Sequence, residues 1–451
     1  MEDNKCTYVW NNWTQMDDLT ELGYGLFVQG RSSELINDKN MKYFDGLSSM
    51  FNCNIGYGNE RVKGGIYDQL NNLGSGTNHW CNLEPAQKLA EKLCSMTNGR
   101  YRHVFFTNSG SEATETAIKM VRQFFYNQKV NRRIILSLEG CYHGGTYGAM
   151  SLSPDENLMF GKMLDDFVQV DTFINRQNIG EQEREELVNH ALKILEDKIL
   201  ELGSYKIAAL FYEPVQLSNR CNIFPDSYID GLYNLSRKYG FLLVVDEVAT
   251  AFGRCGDMFQ SSRHDFHSDI MLLAKGISSG YAALGAVMAT REIFQGFITK
   301  DGDNRDKSFA HGSTTSGNPV ACRTGLEVIK IIEEDGLVEN SRKLGKILLD
   351  KILNIQKSYT YITSVQGKGL MISIRLDENF FTDMDIEEPA FFIHQFLKSK
   401  GMMIFVETDV KDTLTLAPPL IITLEDVERI SKIIESVFKK VVTIREVKGI
   451  D

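Results

Sequence analysis

The sequence predicts an α/β fold, with a large domain on a mostly parallel sheet flanked by helices and a smaller α+β domain made from both chain ends. Two observations carry this. Short, almost continuously apolar runs recur between about residues 100 and 330, and stretches of helical periodicity alternate with them. Such alternation is the pattern of a sheet covered by helices on both faces. A chain of 451 residues has room for two or three lobes, since domains usually run to roughly 100–150 residues.

The runs are Val104–Thr107, Ile134–Leu138, Ile207–Phe211, Phe241–Val245, Ile270–Ala274 and Leu284–Thr290. Their lack of alternation is what parallel strands buried on both faces show. Between the first two, Ala113, Ala117, Met120, Val121, Phe124 and Phe125 recur at helical spacing and form one apolar face. Further on, residues 338–356 and 424–441 read as amphipathic helices, and Gly369–Arg375 and Thr413–Leu416 as strands. The expected division is an N-terminal segment of the small domain over 1–60, the large domain over 61–330, and the C-terminal small domain over 331–451.

Lys plus Arg number 49 against 60 Asp plus Glu, a formal charge of −11. That balance argues against nucleic acid or an anionic membrane as the main partner and leaves room for a local anion pocket. The eight cysteines are scattered and form no CxxC, as in a reduced, cytoplasmic protein without a structural zinc site. The acidic, polar start MEDNKCTYVWNNW lacks the pattern of a signal peptide, and no apolar run is long enough to span a membrane.

In open α/β sheets, chemistry gathers where strands end. After Val104–Thr107 comes Asn108-Ser109-Gly110-Ser111-Glu112, small residues opening a helix, which suits a phosphate or an ordinary serine cap equally. Ile134–Leu138 is followed by Glu139-Gly140-Cys141-Tyr142-His143-Gly144-Gly145, where an aromatic ring and an imidazole between glycines can lie against a flat ring. Phe241–Val245 delivers Asp246, a carboxylate that needs a cation or donors to offset its desolvation. Ile270–Ala274 delivers Lys275 into Gly276, and burial there makes a lysine a better nucleophile. A phosphate cradle, a stacking aromatic, a buried carboxylate and a desolvated lysine are together the parts that pyridoxal phosphate requires.

The chain resembles the class III (ω-) aminotransferases, pyridoxal 5′-phosphate enzymes of fold type I. The resemblance runs from about Gly25 to Ile430 and includes FDGLSSMFNCNIGYG, FFTNSGSEATETAIKM, GCYHGGTYGAMS, YEPVQ, VVDEVATAFGRCG, DIMLLAKG, HGSTTSGNPVAC and LAPPLIIT. It implies that Lys275 binds the cofactor covalently and shuttles the proton between the substrate Cα and C4′. Asp246 would meet the pyridine nitrogen, Val248 one ring face, and Tyr142 the other, beside His143. Ser109, Gly110 and Ser111 fall in the matching phosphate loop, and Glu213 in the nearby hydrogen-bond network. Thr314 matches a threonine that reaches the phosphate of a neighbouring subunit, implying a homodimer with shared sites. The implied reaction is ping-pong transfer of an amino group between a small amine donor and a carbonyl acceptor.

Three departures bear on the substrate. Phe405 stands where many relatives carry an arginine for a substrate carboxylate, Leu217-Ser218-Asn219-Arg220 replaces a small, glycine-rich stretch, and Phe51 replaces a common tryptophan. Carboxylate recognition is then either moved to Arg220 or weakened in favour of an ω-amine, a diamine or an aminosugar-like substrate. Trp80 and Trp10 are further candidates for the substrate entrance or for packing of the N-terminal segment. Alternatives are 7,8-diaminopelargonate synthesis, favoured by YHGGTYGAMS but lacking the expected aromatic pair at Met50-Phe51, and an epimerase or decarboxylase on the same core. More distant is a serine hydrolase, with Ser278 in GISSG followed by Asp301 or Asp303 and His311. His264-Asp265-Phe266-His267 could hold a metal, although two histidines in a polar loop are commonly surface residues, and no metal is expected.

Overall fold

The structure, a computed structural model, describes residues 8–13, 26–153, 159–172, 181–299, 306–406 and 410–449. Its centre is a seven-stranded sheet in the order Tyr101–Thr107, Gly285–Thr290, Ile270–Leu273, Leu242–Asp246, Ile207–Tyr212, Ile134–Leu138, Phe167–Val170. All six apolar runs are strands, and Phe167–Val170 is a seventh whose short, mixed run the sequence pattern did not single out.

One strand runs against the expected direction. Gly285–Thr290 is antiparallel to both of its neighbours, Ile270–Leu273 and Tyr101–Thr107. Only a short 3₁₀ turn at Lys275–Ile277 separates it from Ile270–Leu273. Without a crossover helix the chain can only fold back antiparallel. A strand buried on both faces carries the same apolar pattern in either direction, so composition cannot reveal this.

Side chains of successive residues reach opposite faces. Val244 and Leu272 pack with Ala113, Ala117 and Phe124 of the Gly110–Asn127 helix, while Val245 and Leu273 join the larger cluster on the other face. Helices Leu337–Gln356 and Leu424–Val447 lie close to the expected ranges, the second running further and starting in a capping box of Thr423 and Asp426.

Besides a two-stranded ribbon of Val215–Gln216 and Asn222–Ile223, the two ends of the chain build two four-stranded sheets. Phe27–Arg31, Glu34–Asn37 and Lys42–Asp45 form an antiparallel unit that Met402–Met403 extends in parallel. Ile362–Lys368, Met371–Leu376, Thr413–Leu416 and Phe405–Val406 form a second sheet.

Arg254 joins these parts. Its fully buried guanidinium donates to the carbonyls of Leu370 (3.0 Å) and Pro418 (2.6 Å), to Ser48 Oγ (3.0 Å) and to Asn54 Oδ1 (2.9 Å). Burial pushes its pKa down to about 10, so it stays charged at neutral pH. Among the described residues no helix is long and apolar enough to cross a membrane, and the seven described cysteines are free thiols.

Candidate active site

The ends of five strands of the central sheet and the turn at Met50–Asn52 surround a cavity of about 730 Å³. Lys275 lies at its wall, partly buried, where desolvation drives its ammonium below the ordinary lysine range, opposed by the charges of Glu213 and Asp246. Its backbone adopts φ of +44°, a left-handed conformation that non-glycine residues adopt mainly where surrounding structure enforces it. Gly276 follows because a Cβ there would fall 2.6 Å from Asn54 Nδ2.

Asp246 ends its strand with both oxygens engaged. Oδ1 accepts from the Val248 amide at 2.9 Å, and His143 Nδ1 lies 2.8 Å from Oδ2. His143 is itself buried, and its Nε2 has no partner among the described residues. Glu213, buried beneath Tyr142, accepts from the Tyr142 amide at 2.9 Å. Tyr142 is 37% exposed and lines the cavity, as does Val248.

Ser109, Gly110 and Ser111 open the Gly110–Asn127 helix into the same cavity. The Ser109 hydroxyl caps the Glu112 amide at 3.2 Å, and Ser111 Oγ accepts from Gly145 at 3.0 Å. The serine cap and the expected phosphate cradle are compatible: the cap fixes the turn, and a helix N-terminus can offer its first amides to an anion. Gly144, at φ of +127°, sits so close that a Cβ would fall 2.5 Å from Ser111 Oγ.

Phe51 is 4% exposed and lies over Lys275, whose Nζ is 5.7 Å from the ring centre. The turn that presents it is unusual: Ser48, Ser49 and Phe51 all have positive φ. Asp45 holds it by accepting from the amides of Leu47 (3.1 Å) and Ser49 (2.7 Å) and the Tyr57 hydroxyl (2.6 Å). Phe405 meets Phe51 edge-to-face, with centres 4.9 Å apart.

Four candidates stand outside the cavity lining. Arg220 does not line the cavity; its Nη2 lies 3.4 Å from both oxygens of Asp412, which also takes Arg375 at 2.7 Å. Burial works against ionisation of Asp412, but the Thr413 hydroxyl and the two arginines hold it below the ordinary carboxylate range. Arg220, one of the two candidates for carboxylate recognition, thus lies off the cavity with its charge paired to a buried partner 192 residues away. Arg220→Ala is expected to leave KM for every amine and keto acid unchanged and to lower stability by about 1 kcal/mol, because Arg375 still neutralises Asp412; steady-state kinetics and urea unfolding check both. Trp80 is 80% exposed and outside the cavity lining, as is Trp10, whereas Trp13 and Asn12 line it. Thr314 is exposed, and its neighbours Ser313 and Thr315 are hydrogen-bonded to Asn108 beside the cradle (2.7 and 2.8 Å).

The hydrolase arrangement does not form. Ser278 Oγ donates to the Ala282 carbonyl at 2.6 Å, and the His311 ring nitrogens face Thr116 (2.8 Å) and Lys119 (3.2 Å); Asp301 and Asp303 lie outside the described residues. His264 pairs with Asp230 (3.0 Å), and His267 stacks on Tyr233.

A family model described as Aminotransferase class-III matches residues 24–438. The chain belongs to the class III aminotransferases. This aminotransferase is 30% identical over 445 residues to the adenosylmethionine-8-amino-7-oxononanoate aminotransferase of Staphylococcus aureus, covering 96% of this chain and 95% of that protein. It is equally 30% identical over 444 residues to the taurine–pyruvate aminotransferase of Bilophila wadsworthia, covering 96% of each. An amine transaminase of an uncultivated Pseudomonas species, solved in its PLP-bound form, superposes with a TM-score of 0.88 at 28% identity, covering 97% of this chain and all of that one. The cofactor is pyridoxal 5′-phosphate. The site fits it: a partly buried amine and a buried carboxylate line one cavity, and glycine brings backbone against the Ser111 turn where a Cβ could not fit.

Proposed function

We propose that this aminotransferase takes the amino group of an ω-amine, diamine or aminosugar donor and passes it to an aldehyde or ketone. The donor leaves as a carbonyl and the acceptor as an amine, so each half-reaction reverses the other. The bound cofactor supplies an electron sink for the carbon that loses its proton. Lys275 holds the cofactor and then, freed by the donor, moves the proton from the donor carbon to C4′. Its depressed pKa keeps Nζ a competent base. Asp246, steadied by His143 and the Val248 amide, holds the proton of the pyridine nitrogen. Glu213 fixes the backbone that carries Tyr142 over the ring. The cradle at Ser109, Gly110 and Ser111 takes the phosphate, with Thr314 completing it from a second copy in a cytoplasmic homodimer.

The observation that carries this reading is Lys275, partly buried at the strand ends in one cavity with Glu213 and Asp246. Relatives of equal identity act on different substrates by name, so the similarity to the 8-amino-7-oxononanoate enzyme does not favour that substrate over taurine. The test is a half-reaction screen on the PLP-loaded protein with amino acids, diamines, amines and aminosugars. The yellow absorbance is expected to fade with a donor and return with a carbonyl acceptor. Persistence of the colour with every amine would contradict transamination.

A further inference from the structure

Lys275 stands on a backbone that its own residue type does not favour. It opens the 3₁₀ turn Lys275–Ile277 at φ of +44°, and Ser279, just beyond, has φ of +50°. Neither is glycine, so each left-handed residue persists only where neighbours enforce it. Those neighbours come from a distant stretch of sequence. Ser279 Oγ accepts from the Ile55 amide at 3.0 Å, and both residues are buried. Asn54, also buried, donates through Nδ2 to the Phe252 carbonyl at 3.0 Å and sits against Gly276. Its own carbonyl accepts from the Leu420 amide at 2.7 Å. Within the turn, the Ser279 amide donates to the Gly276 carbonyl (3.3 Å), and the Ser278 amide to that of Lys275 (3.4 Å). Hydrogen bonds thus run from Ile55 through Ser279 to the backbone beside Lys275.

We propose that Ser279 is a positioning residue for Lys275: its hydroxyl, clasped by the Ile55 amide, fixes the turn that presents Nζ to the cavity. This deepens the aminotransferase reading and rests on it. The step at stake is capture of the cofactor. The Nζ lone pair attacks the aldehyde carbon of PLP, a C=N bond replaces C=O, and water leaves with the aldehyde oxygen and two protons of the amine. A lysine side chain is long and flexible, so a turn free to relax lets Nζ stray from the line of attack. Loss of the clasp therefore slows capture, while Asp246 and the Ser109–Ser111 cradle, which stand on other strand ends, keep their hold on the ring and phosphate.

The test compares two forms of the cofactor on the protein freed of PLP. PLP carries the aldehyde that Lys275 captures, whereas pyridoxamine 5′-phosphate carries an amine there and is held only non-covalently. The first-order rate at which the protein turns yellow with excess PLP reports capture. Ser279→Gly, which accepts φ of +50° freely but offers no hydroxyl, is expected to lower that rate at least about tenfold. Its affinity for pyridoxamine 5′-phosphate, read from quenching of protein fluorescence, should stay within about twofold of the parent's. Ser279→Ala, which lacks the hydroxyl and also resists the left-handed turn, should be slowed at least as much. A Ser279→Gly protein that captures PLP at the parental rate would overturn the proposal. So would a loss of affinity for pyridoxamine 5′-phosphate in step with the rate, which would make Ser279 a support of the whole site. No yellow colour in the parent protein would overturn the reading of Lys275 itself.

Discussion

Lys275→Ala is expected to lower kcat by at least about 10⁴-fold, because in the proposed mechanism one atom, Nζ, serves both as attachment point and as proton carrier. The loss should not resemble that of a destabilised enzyme. Lys275 is partly buried and its ammonium is disfavoured by desolvation, which offsets what it gains from Glu213 and Asp246, so its removal should cost little stability. The variant should therefore fold, bind PLP in the Ser109–Ser111 cradle, and fail at a chemical step. Borohydride treatment followed by mass spectrometry separates the two proteins: the wild type should carry reduced cofactor on Lys275, and the variant none. Comparable fixation at another lysine would remove Lys275 from its role.

The second large effect concerns stability. Arg254→Met should destabilise the protein by about 3–5 kcal/mol, since it leaves two carbonyls, a hydroxyl and an amide oxygen buried without a donor. Arg254→Lys keeps the charge but has a single compact head group, and should recover only part of the loss. Urea unfolding followed by fluorescence measures both. The Met variant unfolding within about 1 kcal/mol of the parent would show that water replaces the guanidinium at little cost.

Much of the architecture could be read from the amino acids because it rests on short-range pattern. The buried strands are apolar runs, the Gly110–Asn127 helix has a clean face, and Asp246 and Lys275 stand out as charges ending such runs. What escaped depends on pairing across long separations. The direction of Gly285–Thr290 is set by the shortness of its connection, not by its residues. The commitment of Arg220 to Asp412 joins residues that nothing local relates. Arg254 lay inside VVDEVATAFGRCG, yet its role as a tie became visible only once Ser48, Asn54, Leu370 and Pro418 stood around it. Trp13, a neighbour of the tryptophan considered for the entrance, carries no feature that would have singled it out.

The backbone under Phe51 bears on how this protein could be remade. At φ of +60° position 51 tolerates glycine, asparagine and aspartate far better than any β-branched residue, so few replacements can be sampled there without unsettling the turn. Its partner in the wall, Phe405, sits on the short Phe405–Val406 strand, where extended backbone accepts nearly any side chain. Change in the cavity wall, whether by drift or in a laboratory library, thus has an open route at position 405 and a narrow one at position 51.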